Sequence, residues 1–167
     1  MSKGAKIAII VIGIIAIISV IAIVSVFGII SLVNQEKTPI TANQFVTKME
    51  EKSYITENAV DQFIQYDYVI QAYIAADEDY GYQIEFYELS DESTAMGFYD
   101  NNVTRFESRK SNSSAETNIN GKNFSKYTLL SGGNYMVVSR IENTVVYLNV
   151  DTAYKDEVNK ILEELGY

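Results

Sequence analysis

The most pronounced pattern along the chain is an uncharged run of 27 residues from Ile7 to Val33, dominated by isoleucine, valine and alanine. As a helix rising 1.5 Å per residue it would extend roughly 40 Å, which exceeds the ~30 Å hydrocarbon core of a bilayer. A cleavable signal peptide has an apolar region of only about 7–15 residues. The pattern therefore predicts an uncleaved, single-pass signal-anchor helix that contacts the lipid bilayer through residues 7–33.

The charges that flank this run predict its orientation. Lys3 and Lys6 precede it, whereas Glu36 and Lys37 follow it and cancel each other. The positive-inside rule then places the N-terminus in the cytoplasm and the C-terminal part outside the cell membrane. We expect a cytoplasmic tip and transmembrane helix at 1–33, a linker at 34–40 and an extracytoplasmic domain at 41–167.

Three helices are predicted in the outer domain. Thr41 and Gln44 have the spacing of a capping box, which predicts a helix from about 42 to 52. A second helix is predicted over 91–108, where apolar residues recur at helical spacing after a capping aspartate. A third opens at Asp151 and ends near Gly166, and its apolar stripe contains Tyr154, Val158, Ile161, Leu162 and Leu165.

Runs of β-branched and aromatic residues between the helices predict strands. Two lie at 68–76 and 82–89, and four more at 115–119, 122–130, 134–141 and 144–150 are joined by short turns as a meander. In the second run Tyr82 and Ile84 alternate with Gln83 and Glu85, as in a half-buried strand. We expect an α+β fold in which an antiparallel sheet carries its helices packed on one face.

Charge and composition exclude several functions. All 22 acidic residues and 11 of the 13 basic residues follow the apolar run, so that part has a net charge of −11 and should not bind nucleic acid. The chain has no cysteine and no histidine, which excludes Ser-His-Asp and Cys-His catalysis and imidazole-bound metals. A cysteine-free outer domain also fits secretion by a Gram-positive bacterium.

Carboxylate clusters are the remaining chemical candidates. Asp77, Glu78 and Asp79 are weak candidates for a cation site, but their spacing lacks the pattern of a calcium loop, and a solvated turn is the simpler interpretation. The pairs Asp91/Glu92 and Asp156/Glu157 could in principle act as acid and base, although adjacent helical residues point in different directions. We predict no catalytic residue and no cofactor.

Tyrosine is the one residue type that favours recognition. All 13 tyrosines follow the apolar run, and Tyr73 and Tyr87 are expected on outward strand faces as a possible binding face.

The sequence thus predicts a membrane-anchored binding or accessory module that recognises a protein partner at the cell surface. One alternative is a membrane-tethered sensor or carrier domain for a small ligand or cation in a cleft between sheet and helices. A second is a hydrolase that uses paired carboxylates.

Overall fold

One seven-stranded antiparallel sheet organises the part of the chain that the computed structural model describes, residues 35–79 and 81–167. Its elements are, in chain order, α1 (Ala42–Glu50), β1 (Ile55–Asn58), a 3-10 turn (Val60–Phe63), β2 (Val69–Ala76), β3 (Gln83–Leu89), α2 (Glu92–Glu107), β4 (Ala115–Asn120), β5 (Phe124–Ser131), β6 (Asn134–Ile141), β7 (Thr144–Asp151), a second 3-10 turn (Thr152–Tyr154) and α3 (Lys155–Leu165). The α+β class predicted from the sequence is confirmed.

The sheet consists of two meanders joined at its centre. The strand order is β1-β2-β3-β7-β6-β5-β4, so β1 to β3 form one meander and β4 to β7 the other. The predicted meander of four strands is confirmed. The join is the antiparallel pairing of β3 with β7, which sets Phe86 opposite Val146 and Glu85 opposite Tyr147.

Strand β1 was not predicted from the sequence. It has only four residues, and three of them are exposed. As an edge strand without an apolar alternation it gives no period-2 signal, and its pairing with β2 is visible only in the fold.

The helices do not lie on one face of the sheet, so that prediction is wrong. One face packs against α1 and α3, through contacts that include Phe45 and Leu162. The other face packs against α2, through Tyr99 and Phe106. We call these the α1/α3 face and the α2 face.

The central strands explain why both faces are covered. Neighbouring residues Val145 and Val146 of β7 are each 0% exposed although they point to opposite faces. A strand with apolar residues on both of its faces must be covered by other elements on both sides. The alternation that suggested a half-buried β3 was misleading, because Tyr87 and Leu89 are buried under α2.

Three helix ends follow the predicted signals, but α3 begins at Lys155 and not at the predicted Asp151, which caps the 3-10 turn before it. Thr41 Oγ1 accepts a hydrogen bond from the Gln44 backbone N–H at 3.2 Å, and the Gln44 side chain accepts one from the Thr41 backbone N–H at 2.9 Å. Asp91 caps α2 by accepting a hydrogen bond from the Thr94 backbone N–H at 2.8 Å. Gly166 ends α3 with φ 91°, a left-handed conformation that glycine adopts without strain.

The segment predicted as a linker at 34–40 is bonded to the domain over part of its length. The Lys37 backbone N–H donates to Asn123 Oδ1 at 2.9 Å, and Asn123 Nδ2 donates to the Lys37 carbonyl at 2.7 Å. Ile40 packs against the core of the α1/α3 face. The compact unit accordingly begins at Glu36.

Within residues 35–79 and 81–167, each helix is too short or too polar to span a bilayer. The predicted span from Ile7 to Val33 and the topology-setting Lys3 and Lys6 lie outside the described residues.

The packing of Phe86 in the core of the α1/α3 face predicts how much its truncation lowers the free energy of unfolding. Phe86 is 0% exposed and stacks on Phe45 with ring centroids 5.1 Å apart, so Phe86→Ala should lower the free energy of unfolding by about 3–5 kcal/mol. Ile64 is 88% exposed, and Ile64→Ala should change it by less than about 0.5 kcal/mol. Chemical unfolding followed by circular dichroism measures both, and equal effects of the two substitutions would contradict this packing.

Candidate functional site

A cleft opens on the α2 face between α2, the segment that precedes β2, and strands β3 and β7. Its volume is about 470 Å³, and it is lined by Phe63, Tyr66, Tyr68, Val69, Glu85, Tyr87, Phe98, Asn101, Asn102, Arg105 and Tyr147. These residues come from four separate stretches of the chain. The cleft therefore exists only when the sheet and α2 are assembled.

Aromatic rings form most of its walls. Phe63 meets Tyr87 edge to face with ring centroids 5.4 Å apart, and Tyr87 packs on Phe98 at 4.8 Å. Tyr66 and Tyr68 pack on each other at 5.6 Å and remain 42% and 37% exposed. The rings hold one another in place, so the cleft presents a preformed aromatic surface.

Glu85 supplies a carboxylate to the cleft floor from β3. Its Oε2 accepts a hydrogen bond from the Tyr87 hydroxyl at 2.5 Å, and its Oε1 accepts one from Gln83 Nε2 at 2.8 Å. A carboxylate has about four acceptor positions, so Glu85 can accept further hydrogen bonds from a ligand.

A second hollow of about 440 Å³ extends the floor along β3 and β7. Glu85 and Tyr147 line both hollows, and the second also contains Tyr82, Gln83 and Asn149. Because Glu85 and Tyr147 are directly opposite in the β3–β7 ladder, they mark the middle of one continuous groove.

Helix α2 supplies the polar side of the cleft. Asn102 is buried, and its Nδ2 donates to the Phe98 carbonyl at 2.9 Å, which leaves its side-chain oxygen for another partner. Asn101 and Arg105 are exposed at the rim. The five ion pairs found among residues 35–79 and 81–167 involve neither Arg105 nor Glu85.

Burial and charge act together on the tyrosines of the floor. Burial raises the pKa of the Tyr87 hydroxyl well above its ordinary value, and the nearby Glu85 carboxylate raises it further. Burial also raises the pKa of Tyr147, where Glu85 adds to the shift and the guanidinium of Arg105 opposes it. Both hydroxyls therefore stay protonated to a higher pH than the hydroxyl of a tyrosine in water.

The two tyrosines proposed from the sequence lie on opposite faces of the sheet. Tyr73 is half-buried on the α1/α3 face, where its hydroxyl accepts a hydrogen bond from Asn58 Nδ2 at 3.3 Å. Tyr87 is only 6% exposed because α2 covers it, although its ring lines the cleft. No single surface contains both side chains, and Tyr87 is not on an open strand face as expected.

The acidic turn residues are not gathered into a metal site. Asp77 Oδ1 accepts a hydrogen bond from the Tyr82 backbone N–H at 2.8 Å, which closes the β2–β3 turn. Glu78 and Asp79 are exposed. In the described part of the chain no three acidic side chains converge as metal ligands.

Three of the four carboxylates considered for catalysis have structural partners in the fold, and the fourth, Asp156, is exposed in the first turn of α3. Asp91 caps α2, and Glu92 forms an ion pair with the buried Arg140 at 2.9 Å. Glu157 accepts hydrogen bonds from the hydroxyls of Tyr54 and Tyr82 at 3.2 and 2.9 Å.

Most cleft residues were missed by sequence reasoning. Phe63 and Tyr66 lie in a segment with weak helix and strand periodicity just before the strand predicted from Tyr68, and this density of aromatic residues was the available signal. Phe98 and Arg105 appear as ordinary helix positions, because nothing local in the sequence shows which side of α2 faces β3.

The arrangement can bind a ligand by stacking, by hydrogen bonding and by charge. Family models, curated proteins and solved structures were compared with this chain, and none matches it. The site must therefore be interpreted from its own geometry.

The pKa of Tyr87, raised first by burial and then by the Glu85 carboxylate, predicts a specific dependence of stability on pH. Above about pH 10 a tyrosine ionises in the unfolded chain while Tyr87 stays protonated in the folded chain, so the free energy of unfolding falls as pH rises. Tyr87→Phe removes this contribution and should make the decline above about pH 10 shallower. Chemical unfolding of both proteins across this pH range measures the two slopes, and equal slopes would exclude a raised Tyr87 pKa.

Proposed function

We propose that this protein is a single-pass, membrane-anchored binding module whose extracytoplasmic domain holds a small organic ligand in the aromatic cleft. The uncharged segment from Ile7 to Val33 supports the anchor, and Lys3 and Lys6 support an outward-facing domain on a bacterial cell.

The cleft is the observation that carries this proposal. Its volume of about 470 Å³ lies within the range of roughly 300–1,000 Å³ typical of small-molecule sites. Six of its eleven lining residues are aromatic, and Glu85, Asn102 and Arg105 supply polar groups that can orient a ligand. The small-ligand alternative from the sequence is thus favoured over the first interpretation, a module that recognises only a protein partner.

The chemistry of the lining favours binding over catalysis. Glu85 is the only carboxylate that lines the cleft in the described residues, so no second carboxylate there could share acid and base roles with it. With neither histidine nor cysteine in the chain, an imidazole general base and a thiol nucleophile are also missing from the sequence.

A protein partner remains a second candidate, because apolar side chains are exposed beside the cleft. Ile64 is 88% exposed, and Tyr66 and Tyr68 on the same segment are 42% and 37% exposed. Exposed aromatic and aliphatic groups that lie together are characteristic of docking surfaces. A peptide could insert one side chain into the cleft while this segment contacts its backbone.

The ligand proposal predicts that one substitution at the rim blocks binding. Asn101 is exposed and lines the cleft, so Asn101→Trp should fill its mouth without disturbing the core. A thermal-shift screen of the full-length chain in detergent should find compounds that stabilise the wild type, by about 2.7 kcal/mol at a hundredfold excess over Kd. The same compounds should not stabilise the Asn101→Trp variant.

Thr104→Trp is the matched control for this screen. Thr104 is exposed on the same helix but does not line the cleft, so its variant should respond to ligand as the wild type does. Compounds that stabilise all three proteins equally bind elsewhere, and a screen in which every hit behaves this way would refute the cleft as the ligand site.

The topology gives an independent prediction. Protease added to intact cells should degrade the part of the chain after residue 40, and the tryptic peptides of that part should be lost from the cell fraction. The isolated membrane fraction from untreated cells should retain the full-length chain. Protection of the C-terminal part, or a mature chain that starts near residue 30, would contradict the anchored, outward-facing arrangement.

A further inference from the structure

We infer that the cleft binds an amino-acid-like zwitterion, whose ammonium group pairs with Glu85 and whose carboxylate pairs with Arg105. This inference rests on the proposed function and adds the chemical class of the ligand. It follows from two opposite charges that line one aromatic cleft without pairing with each other.

Glu85 provides the acceptor for the ammonium group. It lies in the middle of the groove, and its carboxylate keeps acceptor capacity beyond the hydrogen bonds from Tyr87 and Gln83. The rings of Tyr87 and Tyr147 lie beside it on the same floor. A cation at this point would gain both a charged hydrogen bond and attraction to the aromatic faces.

Arg105 provides the donor for the carboxylate group. It lines the cleft from α2 and has no ion-pair partner among residues 35–79 and 81–167. Its planar guanidinium offers five N–H donors in a fixed geometry that matches both oxygens of a carboxylate. Arg105 and Tyr147 line the same cleft, and the guanidinium of Arg105 lowers the pKa of Tyr147 whereas Glu85 raises it.

The balance of charge distinguishes a zwitterion from a simple ion. Glu85 and Arg105 are the two charged side chains that line the cleft in the described residues, so a simple anion would leave Glu85 unpaired and a simple cation would leave Arg105 unpaired. A ligand that carries both charges complements both side chains. The aromatic walls, which include Phe63, Tyr66 and Phe98, then favour an apolar or aromatic side chain on this ligand.

Three probes with the same phenyl group test this inference. Phenylalanine carries both charges, 2-phenylethylamine lacks the carboxylate, and 3-phenylpropionate lacks the amine. Isothermal titration of each into the full-length chain in detergent gives its affinity, and titration into Asn101→Trp corrects for binding outside the cleft. Phenylalanine should bind at least about tenfold more tightly than either analogue, since each lost contact is a charged hydrogen bond.

Two variants test which side chain pairs with which charged group of the ligand. Glu85→Gln should weaken phenylalanine about tenfold or more and leave 3-phenylpropionate unchanged or tighter, because only the ammonium contact is lost. Arg105→Gln should weaken phenylalanine to a similar extent and leave 2-phenylethylamine unchanged or tighter. The matched controls are Glu88→Gln, on the opposite face of β3, and Lys160→Gln, an exposed cation on α3 that does not line the cleft; both should bind phenylalanine as the wild type does.

Each outcome decides a separate point. If 2-phenylethylamine or 3-phenylpropionate binds more tightly than phenylalanine, the site is selective for a simple cation or anion and the inference is wrong. If no probe binds but a screened compound stabilises the wild type and not Asn101→Trp, the inference is wrong while the cleft remains a ligand site. If no compound distinguishes those two proteins, the proposed function fails as well.

Discussion

The pairing of β3 with β7 is the interaction on which the rest of the structure depends. It joins two meanders that are each locally connected, and it brings together residues about 60 positions apart in the sequence, such as Glu85 and Tyr147. The same ladder positions Phe86 and Val146 in the core of one face and the floor of the cleft on the other. A single register therefore specifies both the core and the candidate site, because a shift by one residue would exchange the two faces.

Coverage of the sheet is unequal on its two faces, and the cleft is a consequence. The α1/α3 face has two helices and the segment around Ile40 packed against its apolar side chains. The α2 face has one helix, and the residues of β3 and β7 beyond its reach are more polar, as with Glu85 and Asn149. The fold thus leaves a half-covered region in which aromatic walls adjoin hydrogen-bonding groups. Such a boundary provides both contact area and orientation for a ligand.

Several polar contacts that could suggest chemistry serve the fold instead. The carboxylates of Asp77, Asp91 and Glu157 accept hydrogen bonds from a turn, a helix terminus and two tyrosines respectively. Glu92 neutralises Arg140, which is 3% exposed and would be costly to bury alone. Glu85 differs from these residues because it faces an open groove on the α2 face.

The sequence by itself determined the elements whose signals are local. The capping box at Thr41, the left-handed stop at Gly166, the hairpin turns and the apolar stripe of α3 each depend on residues close together in the chain, and most helix and strand positions followed from them. The edge strand β1 and the placement of helices on both faces did not follow, since they depend on pairing and packing between distant segments. The cleft was decided by tertiary structure alone. Phe98, Arg105 and Glu85 converge only after β3 pairs with β7 and α2 crosses that ladder, and no periodicity in one segment encodes such a meeting.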